Sequence, residues 1–177
     1  MPLAPGITVV QVFVLGIDPG LTTTGYAAVA GGASGPRAVA AGVIRTDPAA
    51  SIGTRLVELH RDLCEILAEH KPDVVAIEQV FVNLNRVTAT SVGRAAGVAI
   101  LAAAQAGAEV VEYPPTKVKL AVTGDGAADK RQVTAMVARR LGLATPPHPA
   151  DAADALAVAL CHLQAARWPK PSAKEAS

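Results

Sequence analysis

The chain has 177 residues and a formal net charge of +1. That length suits one domain with a full hydrophobic core. The near-neutral balance neither demands nor excludes nucleic acid, so the placement of cations matters more than their number. Hydrophobic residues make up 51% of the chain, aromatics 3% and charged residues 18%, so each acid lodged in an apolar run needs a reason. The two cysteines, Cys64 and Cys161, sit inside apolar helical patterns and read as buried, reduced thiols rather than a disulfide or a zinc pair. The N-terminus lacks the basic start and cleavage site of a secretory signal, and no apolar run looks long and charge-free enough to span a membrane. The expectation is a cytoplasmic protein without a membrane partner. A single domain is expected over residues 9–167, with flexible termini at 1–8 and 168–177.

In chain order, Val9 to Ile17 is a β-branched apolar run ending at Asp18-Pro19-Gly20. Tyr26 to Ala30 and Ala38 to Arg45 suit a second and third strand in a meander. Ser51 can cap a helix through about His70, with Ile52, Leu56, Leu59, Leu63, Ile66 and Leu67 on one face. Lys71-Pro72-Asp73 breaks it, and Val74 to Ile77 reads as a buried strand ending at Glu78. After a loop at 81–86, an Ala-rich helix is expected over Val87 to Gln105, then a strand over Glu109 to Tyr113. Pro114-Pro115-Thr116 opens a short helix through about Val122. Helices over Asp129 to Leu141 and Ala150 to about Ala166 flank a rigid Pro-rich connector. Three strands, then alternating helices and strands, then a helical end predict an α/β fold. Its mixed sheet is antiparallel first and parallel later.

Four acids stand out against this pattern: Asp18 in VLGIDPG, Glu78 in VVAIEQVF, and Asp151 and Asp154 in HPADAADALAVAL. Asp18 and Glu78 fall at the C-terminal ends of predicted strands, where open α/β sheets place ligand sites. Asp151 and Asp154 are three apart on a predicted helix and so share a face. If that helix packs beside the sheet, the four carboxylates converge, and protons or cations must neutralise them. All-oxygen ligation suits Mg²⁺ or Mn²⁺, and two such ions can drive phosphodiester hydrolysis. Each acid also has a plainer reading. Asp18 before Pro-Gly suits a turn, Glu78 a solvated strand end, and Asp151 a helix cap or first-turn acid. Asp154, set among Ala and Leu, is the hardest to explain without chemistry.

GIDPG followed by T-x-x-G-Y, then AIEQVF, GVAI and ADAADALAVAL, resemble in order the RuvC family of Holliday-junction resolvases. The resemblance runs from about Val14 to about His162. It implies a ribonuclease H-like fold and a homodimer. It also implies Mg²⁺-dependent symmetric nicking of a four-way DNA junction in recombination and repair, with two ions per site and a branch-migration motor as partner. The family's metal-binding acids fall on Asp18, Glu78, Asp151 and Asp154. Some members carry a His in the acidic helix motif; here His148 lies three residues before Asp151 and reads as a connector residue. The residues preceding the first strand depart from the family pattern and carry no assignment.

Junction binding needs cations for phosphates. Lys119 and Lys130 match positions resembling the family's basic DNA contacts, and Lys117 is a further candidate. Arg86 and Arg94 lie nearer Glu78 in sequence, while Arg131 completes the basic set on its helix. Arg139 and Arg140 read better as water-facing. Phe81, three residues past Glu78 in an Asn-rich loop, suits stacking on DNA at the crossover, with core packing as the alternative. Phe13, Tyr26 and Tyr113 are read as core. The helix over Val87 to Gln105 is small or apolar over much of its circumference, which suits a twofold partner helix.

The first glycine-rich loop also resembles that of the sugar-kinase and Hsp70-like phosphotransferases. Those place their nucleotide between two lobes, each as large as this chain. Two further alternatives are a ribonuclease H-like nuclease acting on RNA–DNA hybrids or RNA precursors, and a module that binds junctions without cutting.

Overall fold

The computed structural model describes residues 12–80 and 86–166. The elements run β1 (Val12–Asp18), β2 (Thr23–Gly31), β3 (Arg37–Arg45), α1 (Ile52–His70), β4 (Val74–Glu78), α2 (Arg86–Gln105), β5 (Glu109–Tyr113), α3 (Pro115–Thr123), α4 (Lys130–Leu141) and α5 (Ala150–Ala166). The sheet order is β3-β2-β1-β4-β5. β1, β2 and β3 pair antiparallel, whereas β4 joins β1, and β5 joins β4, in parallel. This is the mixed sheet expected from the element order.

β1 is the central strand, which explains its near-continuous apolar sequence: Val14, Leu15 and Ile17 are all fully buried. Strand alternation sorts the sheet into two interiors. Val14, Ala27, Val29, Ala76 and Tyr113 face a core shared with α3, α4 and α5. Leu15, Ile17, Ala28, Val75 and Ile77 face the other, shared with α1 and α2. Each fully buried Leu, Ile or Val contributes on the order of 1.5–3 kcal/mol.

Ser51 caps α1 by accepting from the Thr54 N–H, and Lys71 closes it in the left-handed conformation, its N–H bonded to the Leu67 carbonyl. Leu59, Leu63 and Leu67 form its buried stripe. Ile52, expected on that stripe, is 42% exposed because it sits at the first turn, ahead of the sheet's cover. Asp129, expected inside α4, is instead its cap, with a reciprocal capping box to Gln132.

α2 is long and apolar enough, by length and composition alone, to pass as a membrane span, a test that core helices also pass. Its own domain covers only one of its faces. Ala95, Ala96, Ala99, Ala102 and Ala103 are buried against the sheet and α1, while Gly97 and Leu101 on the opposite side are exposed. Small side chains make a helix apolar without making it covered.

α5 is the most enclosed helix, with Ala152, Ala153 and every residue from Ala155 to Leu163 buried. Two glycines let its backbone rest directly on the sheet. A Cβ on Gly16 would lie 2.1 Å from the Ala155 carbonyl oxygen, and one on Gly25 2.0 Å from that of Asp151. Gly25 belongs to β2, which begins at Thr23 rather than at the expected Tyr26. Glycine is a weak strand former, so its pairing with Asp18 and Val43 is imposed by the sheet and not by local preference.

Candidate functional site

The loop leaving β1 is fixed from beneath. The buried Thr24 hydroxyl donates to the Gly20 carbonyl at 2.5 Å, and the Thr46 hydroxyl donates to the Leu21 carbonyl at 2.6 Å. Arg55 ties the same region to α1 by donating to the hydroxyls of Thr46 and Thr22. The end of β1 is thereby held against the start of β2, with Asp18 opposite Gly25.

Alternation continues past the last core residues. Because Ile17 and Ile77 face α1 and α2, Asp18 and Glu78 face α5. The register Ile17 to Ile77 makes these acids neighbours at the ends of adjacent parallel strands. From the other side α5 brings Asp151 and Asp154, both partly exposed on an otherwise buried stretch.

The four acids form one electrostatic unit. Burial, then repulsion from Glu78, Asp154 and Asp151, pushes the Asp18 carboxyl up to about 8. Burial and repulsion from Asp154 push Glu78 up to about 7, with Lys130 and Lys119 pulling the other way. Lys130 Nζ makes an ion pair with Asp154 at 2.7 Å. That hydrogen bond holds the Lys130 ammonium above its ordinary range. Glu78, Asp154, Lys119 and Lys130 line a cavity of about 210 Å³ whose walls include Val118, Val133 and Ala157. Among the described residues, no group of three or more His, Cys, Asp or Glu side chains is assembled so as to hold a metal ion in one place.

The remaining sequence candidates fall elsewhere. Lys117 does not line the acid cavity; its Nζ sits 5.1 Å from the centre of the Tyr113 ring. Tyr113 is buried and its hydroxyl meets His162 Nδ1 at 2.9 Å. Phe13 and Tyr26 are half-buried against the α1–α2 core. Cys161 is a buried free thiol and Cys64 a half-buried one, as their apolar context implied. Phe81 lies outside the described residues. His148 is exposed on the connector before α5.

Gly16 and Gly25 were not singled out from sequence, yet they set the height of α5 above the acids. A usable signal was present: glycines on neighbouring strands, matched by the small-residue run around Asp151 and Asp154.

Comparison with known proteins agrees with this architecture. The sequence profile of the crossover junction endodeoxyribonuclease RuvC family matches residues 14–162. The crossover junction endodeoxyribonuclease RuvC of Salinispora arenicola is 53% identical over 151 residues, spanning 85% of this chain and 86% of that protein. Its counterpart in Syntrophomonas wolfei is 48% identical over 154 residues, covering 87% and 90%. The solved structure of Thermus thermophilus RuvC in complex with Holliday junction substrate superimposes with a TM-score of 0.83 at 39% identity. That match covers 88% of this chain and 95% of that one. With nearly its whole folded length matched in sequence and in structure, the chain belongs to the RuvC family of crossover junction endodeoxyribonucleases.

Proposed function

We propose that this protein cuts four-way DNA junctions by metal-dependent phosphodiester hydrolysis, with Asp18, Glu78, Asp151 and Asp154 as the metal-holding catalytic set. The observation that carries this reading is the mutual coupling of these acids at the C-terminal edge of the sheet, in a chain of this family. Burial and neighbouring acids raise Asp18 and Glu78, and with Asp151 and Asp154 beside them the four carboxylates form a hard-oxygen donor set short of positive charge. That chemistry fits Mg²⁺, with Mn²⁺ as a substitute, and the count of acids suits two ions. Bound divalent ions would supply an activated water and charge for the leaving oxygen.

The chain's own residues do the rest. Asp18 and Glu78 are held by strand backbone, so their carboxylates start from fixed anchor points. Asp154 is engaged by Lys130, and holding an ion would mean giving up that partner. Lys119 and Lys130, at the cavity rim, are placed to meet the non-bridging oxygens of a phosphodiester and stabilise the charge that grows there. Lys117 serves as a phosphate contact farther out, and Phe81 as the aromatic at the crossover.

A homodimer suits the two like cuts of symmetric resolution. It is supported by the exposed α2 stripe containing Gly93, Gly97 and Leu101, where a Cβ on either glycine would meet nothing within 4 Å. A branch-migration motor in the cytoplasm completes the expected setting.

The test is a Mg²⁺-dependent cleavage assay comparing a synthetic four-way junction with linear duplex and RNA–DNA hybrid. Preferential cutting of the junction is expected. Equal cutting of all three overturns the junction reading.

A further inference from the structure

Beside the acid cavity lies a second one, of about 420 Å³, between the first turns of α4 and the connector leading to α5. Lys130 lines both, so the two are adjacent steps along one surface. The walls of the second are divided by chemistry. Pro146, Pro147, Ala135 and Ala150 give apolar surface, while Arg131, Lys130 and His148 give cations and ring N–H donors, and no acid lines it.

Arg131 and His148 are exposed, and neither side chain makes a hydrogen bond or ion pair with the other described residues. Arg131 therefore keeps its full fork of donors. An apolar surface with a cationic rim matches one repeating unit of a nucleic-acid strand. A deoxyribose can lie on Pro and Ala, and its phosphate can reach the guanidinium.

Resting on the junction-cutting reading above, we propose that this cavity is a subsite for the sugar–phosphate unit next to the scissile bond. In it Arg131 and His148 hold the phosphate, and the Pro146-Pro147 connector supports the sugar. A strand whose scissile phosphate sits over Asp18 and Glu78 would pass Lys130, which lines both cavities, to reach the second one, whose own lining has no acid. The contact reads backbone and not bases, so it fixes register without adding sequence preference.

The test measures binding of a synthetic four-way junction by the full chain across a salt series, with Ca²⁺ replacing Mg²⁺ to prevent cutting. Removing one phosphate contact lowers the slope of log affinity against log salt by about 0.9. Arg131→Ala is therefore expected to lower the slope by that amount and to weaken binding roughly fivefold at moderate salt. Arg131→Lys restores the slope. His148→Ala weakens binding by a smaller factor. Ethylating the phosphate next to the cut interferes with the unmodified protein and ceases to interfere with Arg131→Ala.

Arg139→Ala, at the far end of the same helix, leaves both quantities unchanged. If it shifts the slope as much as Arg131→Ala, general surface charge explains the effect and the subsite is overturned. Unchanged affinity and slope in Arg131→Ala, with normal binding by the unmodified chain, overturn the subsite alone. Failure of the unmodified chain to bind the junction overturns the junction reading and the subsite with it.

Discussion

Gly25 receives the backbone of Asp151: a Cβ built on the glycine would stand 2.0 Å from the Asp151 carbonyl oxygen. Since Gly25 also pairs with Asp18 in the β1–β2 ladder, one missing methyl sets how closely a helix acid approaches a strand acid. Gly25→Ala forces α5 outward at its N-terminal turn. The expected cost is about 1–3 kcal/mol, the usual range for overpacking. The larger consequence is loss of cutting in a protein that still folds. Thermal unfolding and junction cleavage measured side by side check this; full activity would show that the approach is not needed.

The raised carboxyls make the metal-free protein sensitive to pH in a defined direction. Asp18 titrates near 8 when folded, against an ordinary value of 3.8, and Glu78 near 7, against 4.5. Between those limits the folded chain holds protons that the unfolded chain has released, so stability falls as pH rises from about 4 to about 8. Asp18→Asn removes the buried charge and is expected to raise the metal-free Tm at pH 8 by roughly 3–8 °C. The variant should show little gain at pH 4. A pH-independent difference would contradict the origin assigned here.

Substitution of the acids separates binding from chemistry. Asp18→Asn, Glu78→Gln, Asp151→Asn and Asp154→Asn each keep the side-chain shape and remove a charge that neither stacks on DNA nor attracts it. Each is expected to reduce cutting by several orders of magnitude while junction affinity stays within a few-fold of normal or improves. Retained cleavage in one variant would remove that acid from the site.

Lys130 is the counter-charge of the metal-free cluster through its contact with Asp154. Lys130→Ala therefore leaves Asp154 without its ion-pair partner and the cluster with Lys119 alone. The metal-free Tm at pH 8 is expected to fall, and the rise in Tm on adding Mg²⁺ to grow. Junction cutting should drop as well, because the same ammonium stands at the phosphate rim. A Tm response to Mg²⁺ identical to that of the unmodified protein would mean that the ion does not take over from Lys130.

The exposed stripe of α2 carries the dimer expectation. Leu101 is 52% exposed although it sits in an apolar helix. Leu101→Glu places a charge in the proposed contact and is expected to shift the mass seen by light scattering from dimer toward monomer at micromolar concentration. Cuts should then fall on one strand at a time. A monomeric unmodified protein would overturn the twofold arrangement.

Much of this was legible beforehand because its causes are local. The Ser51 cap, the apolar stripe of α1, the β-branched runs of β1 and β4 and the break at Lys71-Pro72 all follow from short-range chemistry. The four acids stood out because charge is rare in such runs. What sequence did not disclose depends on long-range contact. β2 reaches back through Gly25 only because α5 and β1 demand it. Lys117 was a further candidate beside Lys119, but α3 turns one toward the Tyr113 ring and the other toward Glu78. Ile52 fits a helical pattern whose sheet ends before reaching it.

The parallel register of β1 and β4 has a further consequence. Neighbouring strands are held about 4.8 Å apart by their backbone hydrogen bonds, whatever side chains they carry. Asp18 and Glu78 occupy the next positions after the paired Ile17 and Ile77, so a sheet dimension gauges the gap between their anchor points. Drift in core side chains leaves this gauge untouched. The helix-borne acids have no such standard, and their distance from the sheet is as adjustable as the packing beneath α5. Variation in activity among relatives should therefore trace to that side of the site.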